Sequence, residues 1–159
     1  YQWGNAILSR YPVVSVETGS LPPESLRLRR GYVRAEIEAG ARRLQVINTH
    51  LHHVAGDSEL RQEQVPVLID VWNDNARTVL MGDFNATPDA PEIALLSAAG
   101  LTDVGGFIGP DPGYTFYSAD PDRRIDYFWT SPDLIPLLYE VRQTTASDHL
   151  PLVTTITLP

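Results

Sequence analysis

At 159 residues the chain has room for one domain. Its composition, 43% hydrophobic and 20% charged, excludes a disordered or collagen-like chain, and no apolar run approaches the ~18 residues a membrane helix requires. Cysteine is absent and all twelve cationic residues are Arg, which excludes disulfides, thiolate metal sites and lysine Schiff-base chemistry; the net charge of −8 disfavours wrapping nucleic acid but does not exclude an enzyme whose carboxylates gather around a divalent cation.

The opening Tyr1-Gln2-Trp3-Gly4 has no Met, basic stretch or apolar leader and reads as the start of a piece of something longer. Without cysteines the compartment stays open. In chain order, Asn5 to Ser9 reads as a strand, Pro12 as a turn, and Val13–Val16 as a second strand. Residues 20–26, with Pro22-Pro23, read as loop. Tyr32–Glu38 and Arg43–Leu51 form a hairpin around Ala39-Gly40. Asp57-Ser58-Glu59 places acid at a helix start, complementing its free N–H groups, and the helix runs to about Asn73 with Pro66 as a kink. Thr78–Met81 has the pattern of a buried strand. Asp89 as cap, Pro91 in the first turn and Gly100 as terminator bound a second helix. Residues 105–123, rich in Gly, Pro and Asp, form a long loop. Ile125–Thr130, Leu134–Arg142 and Leu152–Leu158 complete the strands. No repeat or linker divides the chain, so 1–159 is one domain, and two helices among about nine strands predict an α/β sandwich.

Polar, reactive side chains recur at predicted strand ends, where a sheet can hold them rigidly with their heads in solvent. Asn48-Thr49-His50 closes one strand, and Asp83-Phe84-Asn85 follows another. Two residues apart in extended chain, Asp83 and Asn85 project to one side and suit one cation or one water; the alternative makes them turn formers. Asp148-His149 needs an irregular backbone to aim both side chains at one substrate, and otherwise is a turn Asp beside a surface His. Asp126 lies among Ile125, Tyr127, Phe128 and Trp129, where a carboxylate is costly unless paired, and histidine is its natural partner. His50 and His52 share a predicted strand face, which admits a zinc site. Arg27, Arg29, Arg30 and Arg34 form a basic cluster, read as charge protecting an edge strand over contact with phosphates.

Taken together, Gly4-Asn5-Ala6-Ile7-Leu8-Ser9-Arg10, Asn48-Thr49-His50-Leu51, Gly82-Asp83-Phe84-Asn85, Arg124-Ile125-Asp126-Tyr127 and Ser147-Asp148-His149-Leu150-Pro151-Leu152 resemble the endonuclease/exonuclease/phosphatase superfamily, the deoxyribonuclease I-like group, in the family's own order. The resemblance implies a four-layer α/β sandwich of two packed, mainly antiparallel sheets with outer helices. It also implies a phosphodiesterase, phosphatase or nuclease using Mg²⁺, with Mn²⁺ as an alternative. Its catalytic residues would be His50, Asp83, Asn85, Asp126 and His149, and its metal residues Asp83, Asn85, Asp148 and His149. Asp83 would activate water, Asn85 orient it, Asp126 hold His149 against the phosphate, and His50 serve the leaving group. Substrates compatible with this are nucleic acid, a phospholipid headgroup or a small phosphate ester.

The family's upstream Asn strand and metal-binding Glu strand have no counterpart before Gly4, so the resemblance implies a sandwich incomplete at the N-terminus, a weakened metal site and an exposed sheet edge. A non-catalytic binding module and a His-x-His zinc hydrolase are the rival readings. Tyr114, Phe116 and Tyr117 could stack on a base, meet a lipid surface or pin their loop to the core.

Overall fold

Eight strands and three helices follow one another in a computed structural model that describes residues 4–23, 25, 28–109 and 113–159. They are β1 (Val13–Leu21), β2 (Arg30–Ala39), β3 (Arg42–His50), α1 (Ser58–Trp72), β4 (Thr78–Asp83), α2 (Pro91–Ala98), β5 (Thr102–Asp103), α3 (Val104–Ile108), β6 (Asp126–Thr130), β7 (Pro136–Val141) and β8 (Leu152–Ile156). The first sheet has six strands in the order β1-β2-β3-β4-β6-β5, and β7-β8 forms a second, antiparallel pair. β1, β2 and β3 form an antiparallel meander; β3 and β4 run parallel, with α1 as the crossover that parallel pairing requires; β6 returns antiparallel to β4. This is an α/β sandwich, as the sequence motifs imply.

Strand periodicity sorts the sheet's two faces. Ile47, Leu80 and Trp129 join Val65, Leu68 and Trp72 of α1 and Ile93 and Leu96 of α2 in the main core. Ala35, Ile37 and Val46 form a smaller cluster with Ile7, Leu44 and Met81. A buried ion pair links the helices: Arg61 Nε donates to Glu92 Oε1 at 2.5 Å, and Ser58 Oγ donates to Glu92 Oε2 at 2.6 Å. No helix among the described residues is long and apolar enough to cross a membrane.

Several expectations need correction. Asn5–Ser9 is not a strand; Asn5 Nδ2 donates to the Gly31 carbonyl and Ala6 O accepts from Asn48 Nδ2, so side chains, not a ladder, fasten the segment. β1 runs on to Leu21, because β2 pairs with it as far as Leu21↔Arg30. Gly19 permits this, since a Cβ there would lie 2.4 Å from the Tyr32 ring. Pro66 stays inside α1, where burial of Val65 and Leu68 offsets the lost donor. Ala90, not Asp89, caps α2; Asp89 accepts from Thr87 Oγ1 instead. The long loop begins with β5 and α3 before it and within it, and its residues 110–112 lie outside the described residues, as do Arg27 and Glu24 and Leu26 of the 20–26 loop. β2 is an interior strand, so the arginines on it guard no edge: Arg34 pairs with Glu17 across β1, and Arg30 is buried.

Candidate active site

Parallel β3 and β4 end at the same border of the sheet, and antiparallel β6 begins there. Register therefore sets His50 opposite Asp83 and Asp83 opposite Asp126. Gly82 lets β4 come this close to β3: its φ is +141°, and a Cβ would lie 2.0 Å from the Thr49 carbonyl oxygen. Past the strand end, Asn85 adopts a left-handed φ of 50°, and its N–H donates to Asp83 Oδ1 at 2.8 Å. Its side-chain Nδ2 donates to the Leu51 carbonyl at 3.1 Å.

The segment 113–123 carries Asp148 and His149 to this border. Thr115, fully buried, accepts from the Ile125 and Asp126 amides through Oγ1 at 3.1 and 3.2 Å, and its carbonyl accepts from the Leu150 amide at 2.7 Å. Phe116 bridges both Arg123 and His149, with its ring 4.9 Å from the imidazole. The backbone there is irregular, which lets the adjacent Asp148 and His149 both face one cleft.

His50, Asp83, Asn85, Asp126, Asp148 and His149 all line that cleft, whose volume is about 760 Å³. The His149 Nδ1 lies 2.8 Å from Asp126 Oδ2, and its Nε2 lies 3.8 Å from Asp83 Oδ2. The His50 Nε2 approaches Asp83 Oδ2 from the other side at 3.3 Å. Burial, reinforced by the neighbouring Asp126 charge, raises the Asp83 carboxyl to about 6. Burial, with Arg30 and His149 adding positive charge, lowers His50 to about 4. The hydrogen bond to Asp126 raises His149 above the ordinary histidine value. At neutral pH the cleft thus holds a neutral His50, an ionised Asp83 and a His149 biased toward imidazolium.

Asp83, Asp126 and His149 offer one ligand atom each, all within 4.8 Å of one another. Two facing carboxylates, one of them raised by the other's charge, are a donor set that a hard divalent cation relieves. Asn85 and Asp148 line the same cleft outside this triplet, and the exposed Asp148 carboxylate lies 3.4 Å from Ser147 Oγ. His52 is elsewhere: β3 ends at His50, the shared strand face is lost, and His52 Nε2 lies 2.8 Å from Asp57 Oδ2. The His-x-His pair is therefore divided between two settings.

Arg30, His53, Phe116 and Arg123 also line the cleft. Arg30 Nη2 donates to His53 Nδ1 at 3.2 Å, and burial lowers its guanidinium against the opposing pull of Asp83. No local signal separates Arg30 from its arginine neighbours; strand order alone gives it this position. Phe116 takes up the pinning alternative, whereas Tyr114 and Tyr117 stay exposed.

Residues 1–149 match the endonuclease/exonuclease/phosphatase family. The chain belongs to that family. Among solved structures, the catalytic domain of human Nocturnin with bound sulfate is 20% identical with a TM-score of 0.77, covering 93% of this chain and 60% of that one. A mannosyl-6-phosphatase from Bacteroides thetaiotaomicron is 18% identical with a TM-score of 0.78, over 93% of this chain and 67% of that one. The TDP2 of D. rerio, complexed with single-strand DNA product, is 21% identical with a TM-score of 0.74, over 92% of this chain and 68% of that one. The chain thus spans about 60–68% of the length of these three structures. No curated protein matches it.

Proposed function

We propose that the chain carries the catalytic face of a divalent-cation-dependent phosphoesterase that hydrolyses a phosphodiester or phosphomonoester. One observation carries this reading: a buried carboxylate, Asp83, is held by the Asn85 amide between two imidazoles with opposite protonation biases. Family membership supports it, as do structural neighbours that include a phosphatase and a DNA-bound TDP2.

Asp83, Asn85 and Asp148 are assigned to the cation; His149 stands beside it in the close triplet with Asp83 and Asp126, its Nδ1 taken by Asp126 and its Nε2 left for the phosphate. A bound Mg²⁺ or Mn²⁺ supplies charge neutralisation and Lewis-acid polarisation of the phosphoryl group. Asp83, ionised above about pH 6 and fixed through Oδ1, aligns a water with Oδ2 and accepts its proton. Asp126 fixes the His149 ring so that Nε2 points into the cleft, where its proton offsets charge on a phosphate oxygen. Arg30 adds a fixed positive charge from the β2 side, and His50, neutral and beside Asp83, is placed to exchange a proton at the leaving-group oxygen.

The test is hydrolysis of bis(p-nitrophenyl) phosphate, plasmid DNA and sphingomyelin with Mg²⁺, Mn²⁺ or Zn²⁺. Asp83→Asn and His149→Ala are each expected to lower a Mg²⁺-dependent rate by about 10²–10⁴. A rate untouched by both changes overturns the proposal.

A further inference from the structure

A second groove, of about 330 Å³, opens beside the catalytic cleft and shares Arg30 and His50 with it. Register across the sheet explains the continuity. Asp83 faces His50, Tyr32 faces Thr49 one step back, and Gly31 faces Ser20, so one row runs from the carboxylates to the β1 side. Three strand spacings of about 4.8 Å separate Asp83 from Ser20, on the order of 14 Å, with Arg30 on β2, two spacings from Asp83 and one from Ser20.

The two ends of this row differ in charge. Three carboxylates line the catalytic cleft, yet among the described residues no acidic side chain lines the second groove, in a chain with 20 acidic residues. Its polar walls include Asn5, Thr18, Ser20, Arg29 and Arg30, with Tyr32 and His50 beside them. Most arginines elsewhere are neutralised: Arg34, Arg43, Arg61, Arg123, Arg124 and Arg142 each pair with a carboxylate. Arg29 is exposed and has no hydrogen-bond or ion-pair partner among the described residues. Arg30 is only 7% exposed, His53 fixes its Nη2, and its buried Nε has no partner. A buried guanidinium with an unmet donor is costly and marks a place where an acceptor is wanted.

We infer that this groove is a subsite for a second phosphate of the substrate, held by Arg29 and Arg30 with the Ser20 and Thr18 hydroxyls at its far end. The inference rests on the phosphoesterase reading and narrows it. The preferred ester carries another phosphate two to three strand spacings, roughly 10–14 Å, from the scissile one. Guanidinium forks favour phosphate, and among the described residues neither Arg29 nor Arg30 is paired with a carboxylate that would compete for it.

The test is calorimetric binding in EDTA, which needs neither cation nor turnover. A thymidine dinucleotide phosphorylated at both its 5′ and 3′ ends, whose outer phosphates stand far enough apart to span the row, is compared with the same dinucleotide lacking the 3′-phosphate, and hexane-1,6-diol bisphosphate with hexyl phosphate. At least one probe bearing the added phosphate is expected to bind about tenfold tighter than its partner, and Arg29→Ala is expected to erase that advantage. An advantage confined to the dinucleotide pair or to the hexyl pair supports the subsite and identifies the scaffold that carries the phosphates. Equal affinities in the unaltered chain, or an advantage that survives in Arg29→Ala, overturn it. Binding without hydrolysis would sink the catalytic reading and leave the subsite standing, while hydrolysis with no advantage from the added phosphate would do the reverse.

Discussion

Asp83 is placed where its charge is uncomfortable: mostly buried and beside Asp126, a penalty that the Asn85 amide and the charges of His149 and Arg30 offset only in part. That discomfort suits catalysis and weakens the fold. The carboxyl titrates at about 6 in the folded chain against 3.8 for an unperturbed Asp, so protonation favours the folded state. The resulting contribution is fully present below about pH 3.8 and is lost as pH rises through about 6. Asp83→Asn, which cannot ionise, is therefore expected to raise the melting temperature by about 3–8 °C at pH 8 in EDTA and to give no gain at pH 4. Thermal unfolding of both proteins at the two pH values checks this. A variant less stable than the parent at pH 8 would mean that the carboxylate is already satisfied without a cation.

The helices meet through Arg61 and Glu92, and this contact decides how firmly the site border is backed. Glu92 is fully buried, and burial alone would raise its carboxyl; Ser58 and Arg61 outweigh that and hold it below the ordinary value. Arg61 also donates to the His52, Val54 and Ala55 carbonyls, tying α1 to the segment that follows His50. Glu92→Ala strands a buried guanidinium and is expected to cost about 3–5 kcal/mol in urea unfolding. Replacing both residues with Met removes the stranded charge but leaves three carbonyls short of a donor, so the double variant should recover only part of that loss. Full recovery would show that the carbonyl contacts contribute nothing. Glu92 was visible in the sequence as a residue of the first helical turn, but its partner 31 positions away was not. The same division holds at the site. His50, Asp83 and Asp126 could be read because each is a polar interruption at the border of an apolar run. Arg30 and Thr115 could not, because their roles arise from strand order and from a loop hydroxyl reaching two amides. The strand wrongly expected at Asn5–Ser9 failed for the same reason: its bonds run from the Asn5 side chain to the Gly31 carbonyl of β2 and from the Asn48 side chain of β3 to the Ala6 carbonyl, which no local pattern reports.

At the scale of the molecule, the six-stranded sheet finishes in two unlike ways. β5 is two residues long and offers little ladder to pair with, whereas β1 is nine residues long and lies at the opposite edge, its outer side unpaired among the described residues. β1 also exposes Val13, Val14 and Val16, the last at 63%. A long apolar edge is a template for pairing with another strand. The charge of −8 on each copy opposes that pairing, and salt screens charge while leaving apolar contact intact. Self-association measured by sedimentation velocity is therefore expected to increase between about 0.05 and 0.5 M NaCl, where the Debye length falls below ~10 Å. Val16→Lys, which puts a charge on the open edge, should suppress it at both salt concentrations. Association that weakens with salt, or that is indifferent to Val16→Lys, would locate the contact away from β1 and make charge pairing its source.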